Sequence, residues 1–372
     1  MEIFRKTWAE IHTAHLEYNL EFIRSSFSSD TFLCPMVKAN AYGHGDVKLA
    51  ELYQKWNVKY LGVCLIEEGI LIRRLGIQIP ILVFRGFDRE GARAMKKFNL
   101  TPVVSSIEQL EILAEMNEPQ FLHLKFDTGM NRLGLHSEQA SQAHEILKNN
   151  PKLKLHGVLS HLFQSEDGLE ANSLSRQQIK KFNEITLNFE NITDNFHVLN
   201  SGGVICRMKS EDPIYKVRNW GLRPGLMMYG YNPVSSVEVK LKPALTLKSH
   251  TSVVRNVLKG EGVSYNHTWT ASQDSKVAVV PIGYADGWHR LLSNRAQVLW
   301  NGEKAPIIGN ICMDYLMVDV TQYPVLPENE VVFFGQSRTG AFISASEVAQ
   351  QAQTIPWEIL TSVGERVPRV YT

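Results

Sequence analysis

Cysteine is scarce in this chain of 372 residues, and the four that occur, at positions 34, 64, 206 and 312, lie far apart. This count excludes a disulfide framework, and the absence of C-x-x-C and H-E-x-x-H spacings gives no indication of a metal site. No apolar run reaches eighteen residues, and charges interrupt the opening MEIFRKTWAEI. We therefore expect a cytoplasmic protein without a signal peptide or a membrane span.

An excess of charge of one sign is also missing. Lys and Arg number 39 against 38 Asp and Glu, which leaves a formal net charge of +1. Such a balance argues against binding to nucleic acid or to an anionic membrane, so small molecules or another protein chain are the expected partners. The contents of 44% hydrophobic and 21% charged residues are typical of a globular protein, and the length allows two domains.

Eight short apolar runs are present in the first two thirds of the chain, and stretches with apolar residues three and four apart separate them. Alternation of strand and helix eight times predicts a (β/α)8 TIM-like barrel rather than an open sheet. The predicted strands are 32–38, 60–66, 80–85, 100–105, 121–127, 154–162, 196–201 and 221–230.

The pattern changes near residue 235. From there, runs rich in β-branched residues alternate with Gly, Asn and Pro, which predicts a mainly β domain containing one helix over 345–353. We expect residues 1–235 to form the barrel domain and residues 236–372 the mainly β C-terminal domain. About ten opening residues are expected to pack with the second domain.

The segment VKANAYGHG, residues 37–45, places Lys38 at the end of a buried strand. Lysine is usually a solvated surface residue, but α/β folds place their catalytic groups at the carboxyl ends of strands. Asn40, Gly43 and Gly45 supply residues typical of a loop before a helix that begins near Asp46. Lys38 is therefore the first candidate for a functional residue.

Ten motifs in the same order make the chain similar to the alanine racemases, barrel enzymes that use pyridoxal 5'-phosphate (PLP), over essentially its whole length. They are TWAEI, VKANAYGHG, LKFDTGMNRLG, SH (160–161), NSGG, LRPGLMMYG, GVSYNHTW, PIGYADG, GNICMDYLMVDV and RVPRVY. The resemblance implies that Lys38 carries PLP as a Schiff base. It also implies an isomerase that interconverts L- and D-alanine and supplies D-alanine for peptidoglycan.

A racemase must handle protons on both faces of the substrate. The resemblance assigns one face to Lys38 and the other to Tyr265, contributed by the partner subunit, which implies a homodimer with shared active sites. It places Arg223 opposite the pyridine nitrogen of PLP, supported by His161. Because arginine stays protonated, it cannot accept a proton from that nitrogen, so the cofactor is expected to be a weak electron sink.

The resemblance also implies contacts to the cofactor and to the substrate. The cofactor, chiefly its phosphate, would meet Tyr42, Asn200, Ser201, Gly225 and Leu226. The substrate carboxylate would meet Arg132 and the backbone amide of Met313 from the partner, while Tyr284 would narrow the entrance and Lys125 occupies a position that is carbamylated in relatives.

The chain departs from the family at Trp357, where a phosphate-contacting tyrosine is common, and at His12, where aspartate is usual. Three alternatives stay open: an amino-acid racemase of broader specificity, a PLP-dependent decarboxylase of the same architecture, and a non-catalytic PLP-binding regulator. Arg223 argues against the decarboxylase, which is expected to place a carboxylate opposite the ring nitrogen. The second domain argues against the regulator.

Overall fold

The computed structural model describes residues 4–168, 170 and 172–372. These residues form two compact units, which we describe separately. The barrel unit contains residues 17–41 and 46–242, and the β unit contains residues 4–16, 42–45 and 243–372. The short segment 42–45 thus belongs to the β unit although it lies between two segments of the barrel unit.

Seven parallel strands of the barrel unit pair in their order along the chain. Apart from the exposed Phe121 in β5, their apolar side chains are buried, as expected where helices cover a parallel sheet. The first strand of the chain, β1 (Thr7–Ile11), belongs to the β unit. The barrel strands are β2 (Leu61–Val63), β3 (Ile81–Val83), β4 (Thr101–Val104), β5 (Gln120–Lys125), β6 (Leu153–Leu159), β7 (Phe196–Leu199) and β8 (Gly221–Leu222).

Residues 32–37, which we call the closing segment, complete the barrel. Leu33 bridges Leu222 of β8, and Met36 bridges Gly62 of β2, both in parallel orientation. Pro35 has no amide hydrogen and cannot donate within the ladder, so the segment pairs through isolated bridges instead of a continuous strand. The sheet therefore closes with eight elements, as the sequence predicted.

Helices connect these strands. Several begin at a residue whose side chain accepts a hydrogen bond from a first-turn amide, including Asp88, Ser106 and Asn200. The helices are α1 (Thr13–Arg24), α2 (Asp46–Lys55), α3 (Ile66–Arg74), α4 (Arg89–Lys97), α5 (Ile107–Met116), α6 (Ala140–Asn149), α7 (Leu174–Thr186) and α8 (Ser201–Lys209).

The strands of the β unit after β1 are β9 to β19, in order Leu245–His250, Val253–Val257, Gly262–Val263, Trp269–Thr270, Ser275–Val280, Gln297–Trp300, Glu303–Ile308, Leu316–Asp319, Glu330–Gln336, Phe342–Ile343 and Arg369–Tyr371. They form a sheet in the order β10-β13-β16-β15-β14-β17-β9-β1-β19, with β18 paired to β17, and a two-stranded β11-β12 pair. Strand β1 lies antiparallel to β9 and parallel to β19, so the first and last of the described strands are neighbours. Helices α9 (Ala345–Gln351) and α10 (Pro356–Ser362) complete the unit.

The predicted fold class, a (β/α)8 barrel followed by a mainly β domain, is confirmed. The strand predicted over 221–230 is wrong beyond Leu222, because Pro224 interrupts it and Leu226–Tyr229 form a 3-10 turn. Helix α10 was not predicted, although Pro356 at its first position is a common start signal.

Each unit has an apolar core of its own. In the barrel, buried residues from the closing segment and from β3, β4 and β6 meet in one cluster, made of Phe32, Cys34, Leu82, Val103 and Leu159. In the β unit a cluster joins β11, β13, β15 and β16 through Val263, Val277, Ile308 and Met317. None of the described helices is long and apolar enough to cross a membrane.

Candidate active site

Lys38 directly follows the closing segment and begins an unusual turn. The next four residues, 39–42, all have left-handed backbone conformations with φ between 50° and 53°. None of them is glycine, and each such residue costs about 1–2 kcal/mol relative to a right-handed conformation. The amide of Ala41 donates to the carbonyl of Val37 (2.9 Å), and the Asn40 side chain accepts from the amide of Asp46 (3.0 Å). Local hydrogen bonds thus hold the turn that presents Lys38.

Arg223 directly follows β8 and is 3% exposed. It donates hydrogen bonds to His197 of β7 and to Ser160, which follows β6. Its Nη1 donates to the carbonyl oxygen (2.6 Å) and to Nδ1 (2.8 Å) of His197, while Nη2 donates to the carbonyl of Ser160 (2.6 Å). Among the described residues, no carboxylate lies within ion-pair distance of Arg223. Burial lowers the pKa of its guanidinium to about 10, which leaves it protonated at neutral pH.

Two buried histidines, His197 and His123, continue the hydrogen bonds of Arg223. These bonds determine the protonation state of both rings. Because Arg223 can only donate, His197 Nδ1 must accept, so the ring hydrogen of His197 lies on Nε2. That nitrogen lies 2.8 Å from Nδ1 of His123, which must then accept in turn. Burial, followed by the neighbouring positive charge of Arg223, lowers the pKa of His197 well below its usual value. Both rings are therefore neutral, and their tautomers follow from the arginine.

His161 lies where the charged side chains of the barrel converge. Its Nδ1 is 3.4 Å from Nη2 of Arg223. Burial lowers the pKa of His161 well below its usual value, and the positive charges of Arg223, Lys125, Arg132 and Lys38 lower it further, in that order. These four side chains come from the turn after the closing segment, the end of β5, the loop that follows β5 and the residue after β8, and their charges all act on one neutral imidazole. This concentration of positive charge favours an anionic ligand.

The amino end of helix α8 supplies amide donors. Asn200 caps the helix by accepting from the amide of Gly203 (3.0 Å), and the buried Ser201 is its first residue. A Cβ on Gly202 would lie 2.3 Å from Oγ of Ser165, so only glycine fits there. The oriented amides of this nine-residue helix are suited to bind a phosphate group.

The loop after β8 approaches the same serine. Oγ of Ser201 accepts from the amides of Gly225 (3.0 Å) and Met227 (3.2 Å), which surround Leu226. The predicted phosphate residues Asn200, Ser201, Gly225 and Leu226 therefore share one neighbourhood. The set offers backbone and hydroxyl donors without an acidic side chain, and this is the chemistry that a phosphate monoester requires.

Lys125 and Arg132 are held by one loop. Lys125 ends β5 and is buried, and its carbonyl accepts from the amide of Leu135 (2.8 Å). The carboxylate of Asp127 accepts from the amides of Gly129 (2.7 Å) and Arg132 (3.1 Å), which fixes the start of the loop. Burial, with help from the charges of Arg132 and Arg223, lowers the pKa of Lys125 to about 8. Its neutral amine is thus populated near physiological pH.

Tyr265 lies in the β unit at the start of the 3-10 turn Tyr265–His267, and its side chain is 69% exposed. The Asn310 side chain donates to its carbonyl oxygen (2.7 Å), and the hydroxyl of Ser264 donates to the carbonyl of Asn310 (2.5 Å). A groove of about 900 Å³ runs past Tyr265, Met313 and Tyr315. Met313 is 52% and Tyr315 47% exposed, so three large side chains of the groove are accessible to solvent in the single chain.

Two further sequence candidates, Tyr284 and Tyr42, lie in the β unit, as does Trp357, where the chain departs from the family. Tyr284 is exposed, and its amide donates to the carbonyl of Cys312 (3.1 Å), next to Met313. Tyr42 is buried, which raises the pKa of its phenol. Trp357 lies half-buried in α10. The candidates Lys38, Lys125, Arg132, His161 and Arg223 thus lie in the barrel unit. The predicted phosphate residues are divided, with Tyr42 in the β unit and the other four in the barrel unit.

Comparison with known proteins matches both parts of this architecture. A family model described as "Alanine racemase, N-terminal domain" matches residues 11–233, and one described as "Alanine racemase, C-terminal domain" matches residues 244–371. The chain belongs to the alanine racemase family. The resemblance inferred from the ten motifs is therefore confirmed, and the family is one of isomerases.

Relatives in this family match along the full chain. The alanine racemase of Thermodesulfovibrio yellowstonii is 36% identical over 373 residues, covering 98% of this chain and 97% of the relative. That of Sorangium cellulosum is 36% identical over 383 residues, covering 99% of each. The solved structure of the Clostridium difficile alanine racemase has a TM-score of 0.91 at 30% identity and covers 100% of this chain and 97% of that one. The Bacillus anthracis alanine racemase with bound L-Ala-P has a TM-score of 0.89 at 29% identity, with coverages of 100% and 96%.

Sequence reasoning missed three residues near the candidate site. His197 and His123 point along the barrel interior to Arg223, and Glu68 accepts from the amide after Lys38 (2.7 Å). A histidine inside an apolar strand, such as FHVL, was the available signal for the first two. Glu68 gave the signal of an acidic residue in the first turn of a helix, which is too common to single it out.

Proposed function

We propose that this chain is an alanine racemase that binds PLP and interconverts L-alanine and D-alanine. In this proposal residues 1–235 form the cofactor-binding domain and residues 236–372 the mainly β domain. The observation that carries it is the buried Arg223, whose Nη2 lies 3.4 Å from Nδ1 of His161 and which has no carboxylate within ion-pair distance among the described residues. We extend the proposal to the family's role, the supply of D-alanine for peptidoglycan in the cytoplasm.

The donors of the barrel unit fit PLP. Lys38 offers the amine to which its aldehyde would attach, and the amides at the start of α8 with Ser201 suit its phosphate. Arg223 would face the ring nitrogen without giving up its proton, since its pKa of about 10 stays above neutral pH. When bound, PLP supplies an electron-accepting ring that stabilises negative charge on the α carbon of the substrate.

Two side chains of the protein would handle the α proton. Nζ of Lys38 would remove or return the proton on one face of the α carbon. Oη of Tyr265 would serve the opposite face. Its 69% exposure and the groove beside it leave the phenol accessible to a second copy of the chain. We propose a homodimer in which each site receives Tyr265 and Met313 from its partner.

Arg132 would hold the substrate carboxylate, and Lys125 would keep Arg132 in place. The lowered pKa of Lys125, about 8, leaves part of its amine neutral. A neutral amine can add CO2 and release one proton to solvent, and the resulting carbamate would replace a cation beside Arg132 with an anion. Tyr284, exposed on the β unit, would narrow the entrance and favour a small side chain.

The decarboxylase alternative finds no support at Arg223, because among the described residues no carboxylate pairs with this guanidinium. Broader racemisation is the second candidate, and Trp357 favours it. An indole stands where a phenol is common in the family, which changes both the hydrogen bonding and the volume available.

A chiral assay over a panel of amino acids tests the proposal. We expect the purified protein to carry PLP and to interconvert the alanine enantiomers without added metal, and the Lys38→Ala variant to lose both properties. Racemisation of larger substrates at comparable rates would support the broader specificity. Release of CO2 from basic amino acids without racemisation would refute the proposal.

A further inference from the structure

Glu68 lies in the first turn of α3, and part of its bonding is ordinary there. Its Oε2 accepts from the amides of Cys64 (2.8 Å) and Leu65 (2.9 Å), just ahead of the helix. Acidic side chains often satisfy free amides at a helix start in this way. One oxygen of Glu68 is therefore explained by the helix that carries it.

The other oxygen has a different partner. Oε1 of Glu68 accepts from the amide of Ala39 at 2.7 Å, across 29 residues of sequence. Ala39 directly follows Lys38, and helix α3 does not require this bond. A hydrogen bond to a charged carboxylate is about twice as strong as one between neutral groups. Glu68 thus joins the loop after β2 to the turn that follows the closing segment.

The turn that Glu68 holds is strained. Residues 39–42 form four successive left-handed positions without a glycine. Such conformations persist only where surrounding groups specify them, and they concentrate at functional sites. The bond to Glu68 is made at the first of the four positions, where the chain leaves Lys38. A change there would alter the direction in which the lysine side chain leaves the backbone.

We propose that Glu68 is a positioning residue that clamps the left-handed turn and thereby aims Nζ of Lys38 at the substrate α carbon. The inference rests on the proposed role of Lys38 and adds to it the group that orients the lysine. Glu68 touches neither cofactor nor substrate in this account. Its effect passes through the amide of Ala39.

Glu68→Gln separates this role from helix capping. Glutamine keeps the shape, but it offers one acceptor oxygen, and its NH2 group would face an amide donor. Either Ala39 or the pair Cys64 and Leu65 then loses its acceptor. Glu67→Gln is the matched control, because Glu67 is exposed in the same first turn and removes the same charge near the same helix end.

Hydrogen exchange followed by mass spectrometry, on the protein without cofactor, measures the clamp. In Glu68→Gln we expect exchange in the peptide 36–46 to rise by about tenfold or more, because a charge-assisted bond is lost. Exchange in α4 to α8 should stay unchanged. For the PLP-loaded enzyme we expect kcat for alanine to fall at least about tenfold while KM stays within about twofold. Glu67→Gln should match the parent in every measurement.

Parent-like exchange in the peptide 36–46 would overturn the proposal. So would faster exchange spread evenly over the barrel, which would make Glu68 a residue of general stability, or an unchanged kcat. If the parent protein neither binds PLP nor racemises alanine, the proposed function fails. The exchange measurement, made without cofactor, still decides whether Glu68 clamps the turn.

Discussion

Replacing Ala39 with glycine should stabilise the protein, although glycine usually destabilises. Ala39 has φ 52° and ψ 55° and is exposed, so its methyl group contributes little buried area. Relief of the left-handed conformation is worth about 1–2 kcal/mol. The greater freedom of glycine in the unfolded chain reduces this gain by about 0.5–1 kcal/mol. We expect a net gain in the free energy of unfolding of about 0.5–1 kcal/mol.

The matched control is Ala94→Gly, in the right-handed helix α4. There the same substitution should cost about 1 kcal/mol, since no strain is relieved. Urea unfolding of both variants without cofactor, at one protein concentration, measures the difference through midpoints at an unchanged slope. If both substitutions destabilise equally, residue 39 is not strained and the reasoning is wrong. Despite the added stability, kcat of Ala39→Gly should fall, because Lys38 gains freedom of direction.

Three other outcomes follow from the site. Lys38→Ala and Tyr265→Phe chains, each poorly active alone, should regain about a quarter of the parent activity when refolded together in equal amounts. Half of the random dimers then contain one chain of each kind, and such a dimer has one intact site out of two. No recovery would argue against shared sites. Tyr265→Phe should slow solvent-deuterium incorporation from one enantiomer more than from the other, because the phenol would serve one face of the substrate. Equal slowing would contradict the two-base assignment. In CO2-free buffer, the free energy of unfolding should rise between about pH 8 and 10.5. The pKa of Lys125 is about 8 in the folded protein and 10.5 when unperturbed, so the unfolded chain binds more protons in that range. Lys125→Met should flatten this rise in melts at different pH, and an unaltered profile would refute the lowered pKa of Lys125.

The barrel was predictable because its information is local. Short apolar runs separated by helical periodicity gave the eight barrel elements, and the loop residues after Lys38 gave the start of α2 at Asp46. The backbone of the turn between them was not predictable. Alanine has no preference for left-handed positions, and the carboxylate that meets Ala39 lies 29 residues away.

The sequence likewise predicted some residues of the candidate site and left others open. Motifs predicted Lys38, Arg223 and Ser201 as site residues, because their residue types suit the proposed chemistry. The hydrogen-bonded pair of His197 and His123 joins residues 74 positions apart, and nothing in the local sequence of either predicts the other. Long-range pairing sets such contacts, so a single sequence leaves them open.

Strand β1 has a consequence for how the chain is made. It is made well before its neighbours β9 and β19, which begin at Leu245 and Arg369. Until these strands have been made both of its edges lack partners, and unpaired edges invite association with other chains. The β unit can therefore be completed only after β19 has been made, and loss of β19 would leave β1 with one open edge.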